Sequence, residues 1–254
     1  MNRTAAADMS YWWPLVMRSG VQVPQTRIVT APAEIDLLLD GKTPLGFERF
    51  IHLLKCAAVE VGGYPVFLRT GQTSGKHSWT ETCYITSEAA FPRHVAELVE
   101  FSAMVDFMGL PTCTWVVREF LADTDAPFKA FSGMPVARER RYFAEAGKVL
   151  CQHPYWPAES LECCDGLAAA EQSTRGYTDN PDWRALLAVL NEDTPEAIAE
   201  LTTLSERVSL LLPGAWSLDW LWTRRGWYLT DAAPAELSWH WHGCPVSLQR
   251  KWET

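Results

Sequence analysis

The stretch Trp216-Ser-Leu-Asp-Trp-Leu-Trp222, then Thr223-Arg-Arg-Gly226, then Trp227-Tyr-Leu-Thr-Asp231, decides how this chain is read. Both outer runs are aromatic and apolar, which is strand chemistry, and Arg224-Arg225-Gly226 between them is a turn. A hairpin that pairs Trp222 with Trp227 carries Asp219 to the neighbourhood of Thr230 and Asp231. Two carboxylates that close, with Leu218, Trp220, Leu229 and Ala232 as neighbours, repel unless a proton or a cation lies between them. Mg²⁺ takes one or two protein carboxylates and fills its shell with phosphate oxygens and water. Asp219 and Asp231 are therefore the candidate metal ligands, with two independent surface aspartates as the alternative.

Upstream lies a second hairpin, Arg138 to Ala144, turn Glu145-Ala146-Gly147, then Lys148 to Gln152. Strand alternation puts Glu139 and Arg141 on one face and Arg138 and Arg140 on the other. A carboxylate and a guanidinium on one face either pair as a surface ladder or hold a phosphate together with a metal or ribose. Further upstream, Thr114-Trp-Val-Val-Arg-Glu-Phe-Leu121 is the clearest strand, read as buried with two exposed charges. Before it, Pro65 to Arg69 reads as a strand leading into Thr70-Gly-Gln-Thr-Ser-Gly-Lys-His77. Small residues let backbone amides approach an anion, and Arg69 and Lys76 add charge. It is not a P-loop, because three residues separate Gly71 from Gly75 and His77 follows the lysine. A solvated hairpin loop is the alternative.

The remaining elements are less informative. Residues 1–32 show three prolines and little periodicity, with one short strand at 25–29. Helices are expected at 33–39, 46–60 and 92–108, a return strand at 79–85 and a connecting loop at 122–134. Residues 157–180 read as mixed polar loops, and 181–212 as helix in two pieces broken near Pro195. The chain has 254 residues, 48% hydrophobic and 21% charged, enough for two small lobes with sizeable cores. A net charge of −9 argues against a chain that coats nucleic acid, so no nucleic-acid partner is expected. The 13 tryptophans read as core and cleft-wall residues rather than stacking platforms. Seven cysteines without a CxxC pair or secretory leader read as mostly buried thiols in a reducing, cytoplasmic setting. No apolar run reaches the roughly 20 residues of a membrane span.

In chain order, the features are Leu68-Arg69, Ser74 to Lys76, Glu139-Arg140-Arg141-Tyr142-Phe143, Gln152, Asp219 and Asp231-Ala232-Ala233-Pro234. This order resembles the ATP-grasp superfamily. It is most similar to the divergent branch of eukaryotic cell-division-cycle ATP-grasp proteins, which are assembly factors for translation initiation factor two. Small phage-encoded ATP-grasp proteins are similar too. That branch has a Leu-Arg strand with a Ser- and Lys-bearing loop, a Glu-x-Arg-x-Phe strand followed by Gln, and an Asp strand followed by Asp-Phe-Asn-Pro. The likeness spans residues 60–236, and one position departs: where the family has a metal-binding Asn, this chain has Ala233, leaving Glu236 as a substitute.

The resemblance implies an α+β fold of two lobes with a nucleotide cleft between them. Its parts are an N-terminal segment at 1–45, a first lobe at 46–121 and a second at 122–254. It implies ATP and Mg²⁺ as cofactors. Glu119, Phe120 and Leu121 would meet the adenine; Arg69, Ser74, Lys76, Glu139 and Arg141 the rest of the nucleotide; Asp219 and Asp231 the Mg²⁺. Arg141 and Lys76 are the implied catalytic groups, Arg141 on the γ-phosphate. The implied reaction is an ATP-dependent ligation that activates a small-molecule or protein carboxylate as an acyl phosphate. The alternative is a non-catalytic, ATP-dependent assembly factor that grips a protein partner. A Trp-rich sugar- or strand-binding module without nucleotide is the third reading.

Overall fold

The fold is given by a computed structural model that describes residues 3–105, 108–162, 178–242 and 244–246. It opens with two helices where no helix was expected, α1 (Arg3–Ala7) and α2 (Met9–Met17). The signal was present but masked. Met9, Trp12, Trp13 and Val16 recur at helical spacing and are all buried, while Pro14 sits inside the helix. Asp8 caps α2 by accepting from the Ser10 amide at 2.8 Å. Strand β1 (Thr26–Thr30) follows, and the expected helix at 33–39 is a 3₁₀ helix, Ile35–Asp40, closed by Gly41.

Next come α3 (Phe47–Glu60), β2 (Val66–Thr70), β3 (Tyr84–Ile85), α4 (Phe91–Met104) and β4 (Thr114–Glu119). The return strand expected over 79–85 shrinks to two residues. The Thr82 hydroxyl lies 2.8 Å from the Gly75 carbonyl and 2.9 Å from that of Ser78, which holds the preceding residues in turns. Helix α4 stops at Met104 rather than 108, and the Leu110 amide donates back to the Ser102 carbonyl at 2.8 Å.

Two short strands, β5 (Phe128–Ala130) and β6 (Met134–Val136), pair within and just beyond the expected loop at 122–134. Three residues are too few to show a readable alternation. Strands β7 (Glu139–Glu145) and β8 (Lys148–Pro154) form the expected hairpin, with Ala146 and Gly147 both at positive φ, the demand of a tight two-residue turn. Helices α5 (Trp183–Asn191) and α6 (Pro195–Ser209) break near Pro195 as the sequence indicates, and β9 (Ala215–Thr223) and β10 (Gly226–Pro234) close the chain's second hairpin. Most of the segment read as mixed loops, and the Cys163-Cys164 pair, lie outside the described residues.

These elements make an α+β fold of two antiparallel four-stranded sheets, ordered β1-β4-β2-β3 and β10-β9-β7-β8. The first sheet packs Val66, Leu68, Trp115 and Val117 against α3 and α4. The opposite face of β4 presents Val116, which joins Trp12, Trp13 and the β9–β10 hairpin in the second core. The N-terminal segment therefore serves both halves: β1 pairs with β4, and α2 packs into the second core. Among the described residues nine tryptophans are buried, Trp12, Trp115, Trp216 and Trp220 among them. Of the described cysteines only Cys83 is buried; Cys56 and Cys113 are exposed, so thiol burial is not the rule expected. No helix among the described residues is long and apolar enough to cross a membrane.

Candidate functional site

Strand alternation aims the site residues. On β2, Val66 and Leu68 face the helices, so Phe67 and Arg69 face the other way. On β4, Arg118 shares the face of Val116. Both arginines thus point from the first sheet toward the second, and β10 meets them. Arg69 Nη1 lies 2.9 Å from Asp231 Oδ1, and Arg118 Nη1 donates to the Thr230 carbonyl. Between the sheets lies a cleft of about 420 Å³ lined by Arg69, Ser74, Lys76, Arg118, Glu119, Phe120, Leu121, Glu139, Asp219 and Asp231, with Trp79, Tyr155 and Trp156 among its walls. Arg141 stands behind it, bound to Asp219 and against the Tyr155 ring at 4.7 Å.

The β9–β10 hairpin pairs Trp222 with Trp227 as expected, but a bulge at Thr230 shifts the register, so that Asp231 lies directly opposite Asp219. The carboxylates are not left facing each other without compensation, which corrects the sequence expectation. Asp219 is gripped at both oxygens by Arg141, at 2.7 and 2.8 Å, and Asp231 by Arg69. Arg141 reaches Asp219 because the two are cross-strand partners in the β7–β9 ladder. Burial disfavours its charge, but Asp219 outweighs that, so the guanidinium is held more firmly protonated than usual. A carboxylate has about four lone-pair positions, so Arg141 leaves room on Asp219 for a hard cation. Asp231 is part-exposed, with Oδ1 used by Arg69 and the Ala232 amide. One Asp231 oxygen and the outer lone pairs of Asp219 suit a Mg²⁺ that keeps phosphate and water ligands. Ala233 pairs with Ser217 and brings no side-chain oxygen, and Glu236 is not among the residues lining the cleft.

Glu139 and Arg141 share a face, as alternation demands, yet turn to different partners. Glu139 Oε1 accepts from the Trp156 indole at 2.9 Å, and burial pushes its carboxyl up while Lys76 pulls it down. Lys76 Nζ donates to the Tyr155 hydroxyl at 2.6 Å and sits over the Tyr155 and Trp156 rings. Burial lowers its pKa, but Tyr155, Glu139 and Asp219 more than offset that, so the ammonium stays charged. On the opposite face, Arg138 and Arg140 do structural work: Arg140 binds Asp193 at 2.5 Å and the carbonyls of Leu190 and Glu192, clamping the junction of α5 and α6.

The loop after β2 is tied rather than solvated. Thr70 Oγ1 accepts from the amides of Gln72 and Thr73, and Gly75 adopts φ +58°. It leads into a single 3₁₀ turn, Lys76–Ser78, unlike the long helix after a P-loop. Helix α2 abuts it, with Met9 donating to the Gly71 carbonyl at 2.9 Å. At the other wall β4 ends at Glu119, so Phe120 and Leu121 follow beyond the ladder, with Phe120 edge-on to Tyr84.

The sequence reading missed Arg118, Tyr155 and Trp156. Arg118 was read as an exposed charge; it is 3% exposed, and burial with Arg69 nearby drags its pKa down to about 9. Its Nη2 has no hydrogen-bond partner. The alternation of β4, placing it on one face with Val116, was the available signal.

No family model matches the sequence, and no curated protein matches it. Solved structures do. Cdc123 from Schizosaccharomyces pombe aligns at TM-score 0.55 and 14% identity, over 98% of this chain and 91% of that one. Its C-terminally truncated form aligns at TM-score 0.55 over 92% and 85%. The chain shares the fold of Cdc123. D-alanine–D-alanine ligase from Bacillus anthracis complexed with ATP aligns more weakly, at TM-score 0.45 and 11% identity, over 90% of this chain and 54% of that one. At these identities the likeness to Cdc123 is one of fold alone, and the site residues stand on their own geometry.

Proposed function

We propose that this chain binds Mg-ATP in the cleft between its lobes. The observation that carries the reading is the meeting of Arg69, Lys76, Arg118 and Arg141 with the facing Asp219–Asp231 pair, in a chain of net charge −9. Such a cluster suits a polyanion with a divalent cation. Arg69, Ser74, Lys76 and Arg118 would take the phosphates, and the backbone beyond Glu119, at Phe120 and Leu121, the adenine edge. Trp79 and Phe120 offer it an apolar wall. Mg²⁺, held by Asp219 and Asp231, would neutralise phosphate charge. Glu139 would accept from the ribose or bind the cation.

For activity, the reading is an ATP-dependent ligase that activates a carboxylate, of a small molecule or a protein, as an acyl phosphate. Lys76 would hold the transferring phosphoryl group in place, Arg141, behind the cleft, would act on the site through Asp219, and the aromatic walls would keep water from the acyl phosphate. The second reading is a non-catalytic assembly factor for a protein partner, favoured by the fold shared with Cdc123 and by Ala233 at the metal-site position. Both readings place the chain in the cytoplasm, where ATP is supplied.

Thermal unfolding with and without Mg-ATP is the test. At about 100 times the dissociation constant, linkage adds about 2.7 kcal/mol, which is several degrees in a chain of this size. No shift at millimolar Mg-ATP overturns the reading. Given a shift, ADP and phosphate release with candidate acceptors supports the ligase, and binding without turnover supports the assembly factor.

A further inference from the structure

Away from the cleft, the segment after β10 folds back over the second sheet and brings three soft ligands together. Cys151 lies on the edge strand β8; His240 and Cys244 come from the returning segment. One ligand atom from each lies within 4.8 Å of the others, and Cys151 Sγ is 3.5 Å from His240 Nε2. We infer that Cys151, His240 and Cys244 form a structural Zn²⁺ site that clips the C-terminal segment to the edge of the second sheet.

The spacing matches the ion. Zn–S bonds of about 2.3 Å and Zn–N bonds of about 2.0–2.1 Å put a sulfur and a nitrogen on one tetrahedral ion about 3.5 Å apart, and two sulfurs about 3.8 Å apart. The Cys151–His240 separation is already at the first value, and because the ligand atoms all lie within 4.8 Å of one another, closure by about an ångström meets the second. The ligand type also selects. Two thiolates and an imidazole suit Zn²⁺ and do not suit Mg²⁺, which takes oxygen ligands.

The ligands are held by the fold. The β7–β8 ladder slips register beside Cys151, so that Cys151 pairs with Phe143 on one face. His240 stacks on the Phe143 ring at 3.5 Å between centroids, which sets its plane next to the thiol. Two bonds tie the returning segment to the β7–β8 hairpin, Arg141 Nη1 donating to the Trp239 carbonyl at 3.3 Å and the Trp241 indole to the Pro154 carbonyl at 2.8 Å, and within the segment the Cys244 amide donates to the Trp241 carbonyl at 3.2 Å. His153, two residues from Cys151 on the same strand face, is buried with its Nε2 unpartnered and its ring 5.8 Å from that of His240. The fourth position falls to water or, after a side-chain rotation, to His153. Binding is proton-balanced: Zn²⁺ displaces one proton from each of the two thiols to buffer, and the neutral imidazole donates its lone pair.

The test is metal analysis of the full chain purified with zinc under reducing conditions, then desalted. One zinc per chain is expected, lost in Cys151→Ser, Cys244→Ser and His240→Gln, and kept in Cys56→Ser and Cys113→Ser, whose thiols are exposed elsewhere. Should a ligand variant fail to fold, Co²⁺ titration of the zinc-stripped wild-type chain decides. A thiolate-to-cobalt charge-transfer band with the strong visible bands of a four-coordinate site supports the proposal. Absence of both zinc and those bands overturns it. So does zinc that persists in Cys151→Ser, or a Cys151–Cys244 disulfide found by peptide mapping of the reduced preparation.

Discussion

Replacing Asp219 with Asn should destabilise this protein even without nucleotide. Asp219 and Arg141 make two charge-assisted hydrogen bonds of 2.7 and 2.8 Å, with side chains 7% and 14% exposed. Removing one partner of such a pair leaves a buried charge uncompensated, at about 3–5 kcal/mol. Asn keeps the volume and one acceptor oxygen, so the lower end, about 3 kcal/mol, is expected. A chain of this length loses about 2–4 °C per kcal/mol, hence about 6–12 °C in Tm. Urea denaturation followed by tryptophan fluorescence measures it directly. The double variant Asp219→Asn, Arg141→Met should recover much of the loss, because no charge is then left unpaired. The reasoning fails if Asp219→Asn lies within about 0.5 kcal/mol of wild type, the range of an ordinary surface change. It also fails if the double variant simply sums the two single losses.

Other substitutions separate folding from binding. Arg118→Met removes a buried guanidinium with an unpartnered Nη2, so the urea midpoint should move little while ATP affinity falls roughly tenfold or more, the worth of a charge-assisted phosphate contact; titration calorimetry reads the second, and unchanged affinity would remove Arg118 from the site. Gly71→Ala would place its Cβ 2.3 Å from an Asp8 carboxylate oxygen, pushing α2 off the loop at a cost of about 1–3 kcal/mol, visible as lost thermal stability. His94 Nδ1 lies 2.9 Å from the Thr82 carbonyl, and burial lowers its pKa. Because the unfolded chain then takes up a proton before the folded one, stability should fall as pH drops below about 6.5, and a His94→Gln variant should show a shallower slope there. A slope identical to wild type would assign the effect to other groups.

Strands β2 and β4 and the two long hairpins were legible because period-two alternation and turn chemistry are local, and Trp216 to Asp231 or Arg138 to Gln152 carry both in the chain itself, whereas β5 and β6 are too short to show either. Helices α3 and α4 were legible for the same reason at period 3.6. The order of the motifs along those strands was enough to suggest a likeness to the branch that includes the fold of Cdc123, which the chain shares. What only the tertiary structure decided is where each charge ends. The bulge at Thr230 that sets Asp231 against Asp219 is a local irregularity no alternation announces, and the grip of Arg141 on Asp219, the packing of Arg118 on Trp13 and the return of Trp239 to Trp241 onto the β7–β8 hairpin join residues far apart in the chain. Periodicity says which face a side chain takes. The partner it finds there depends on which other element covers that face, and that is settled by packing and by the need to compensate buried charge.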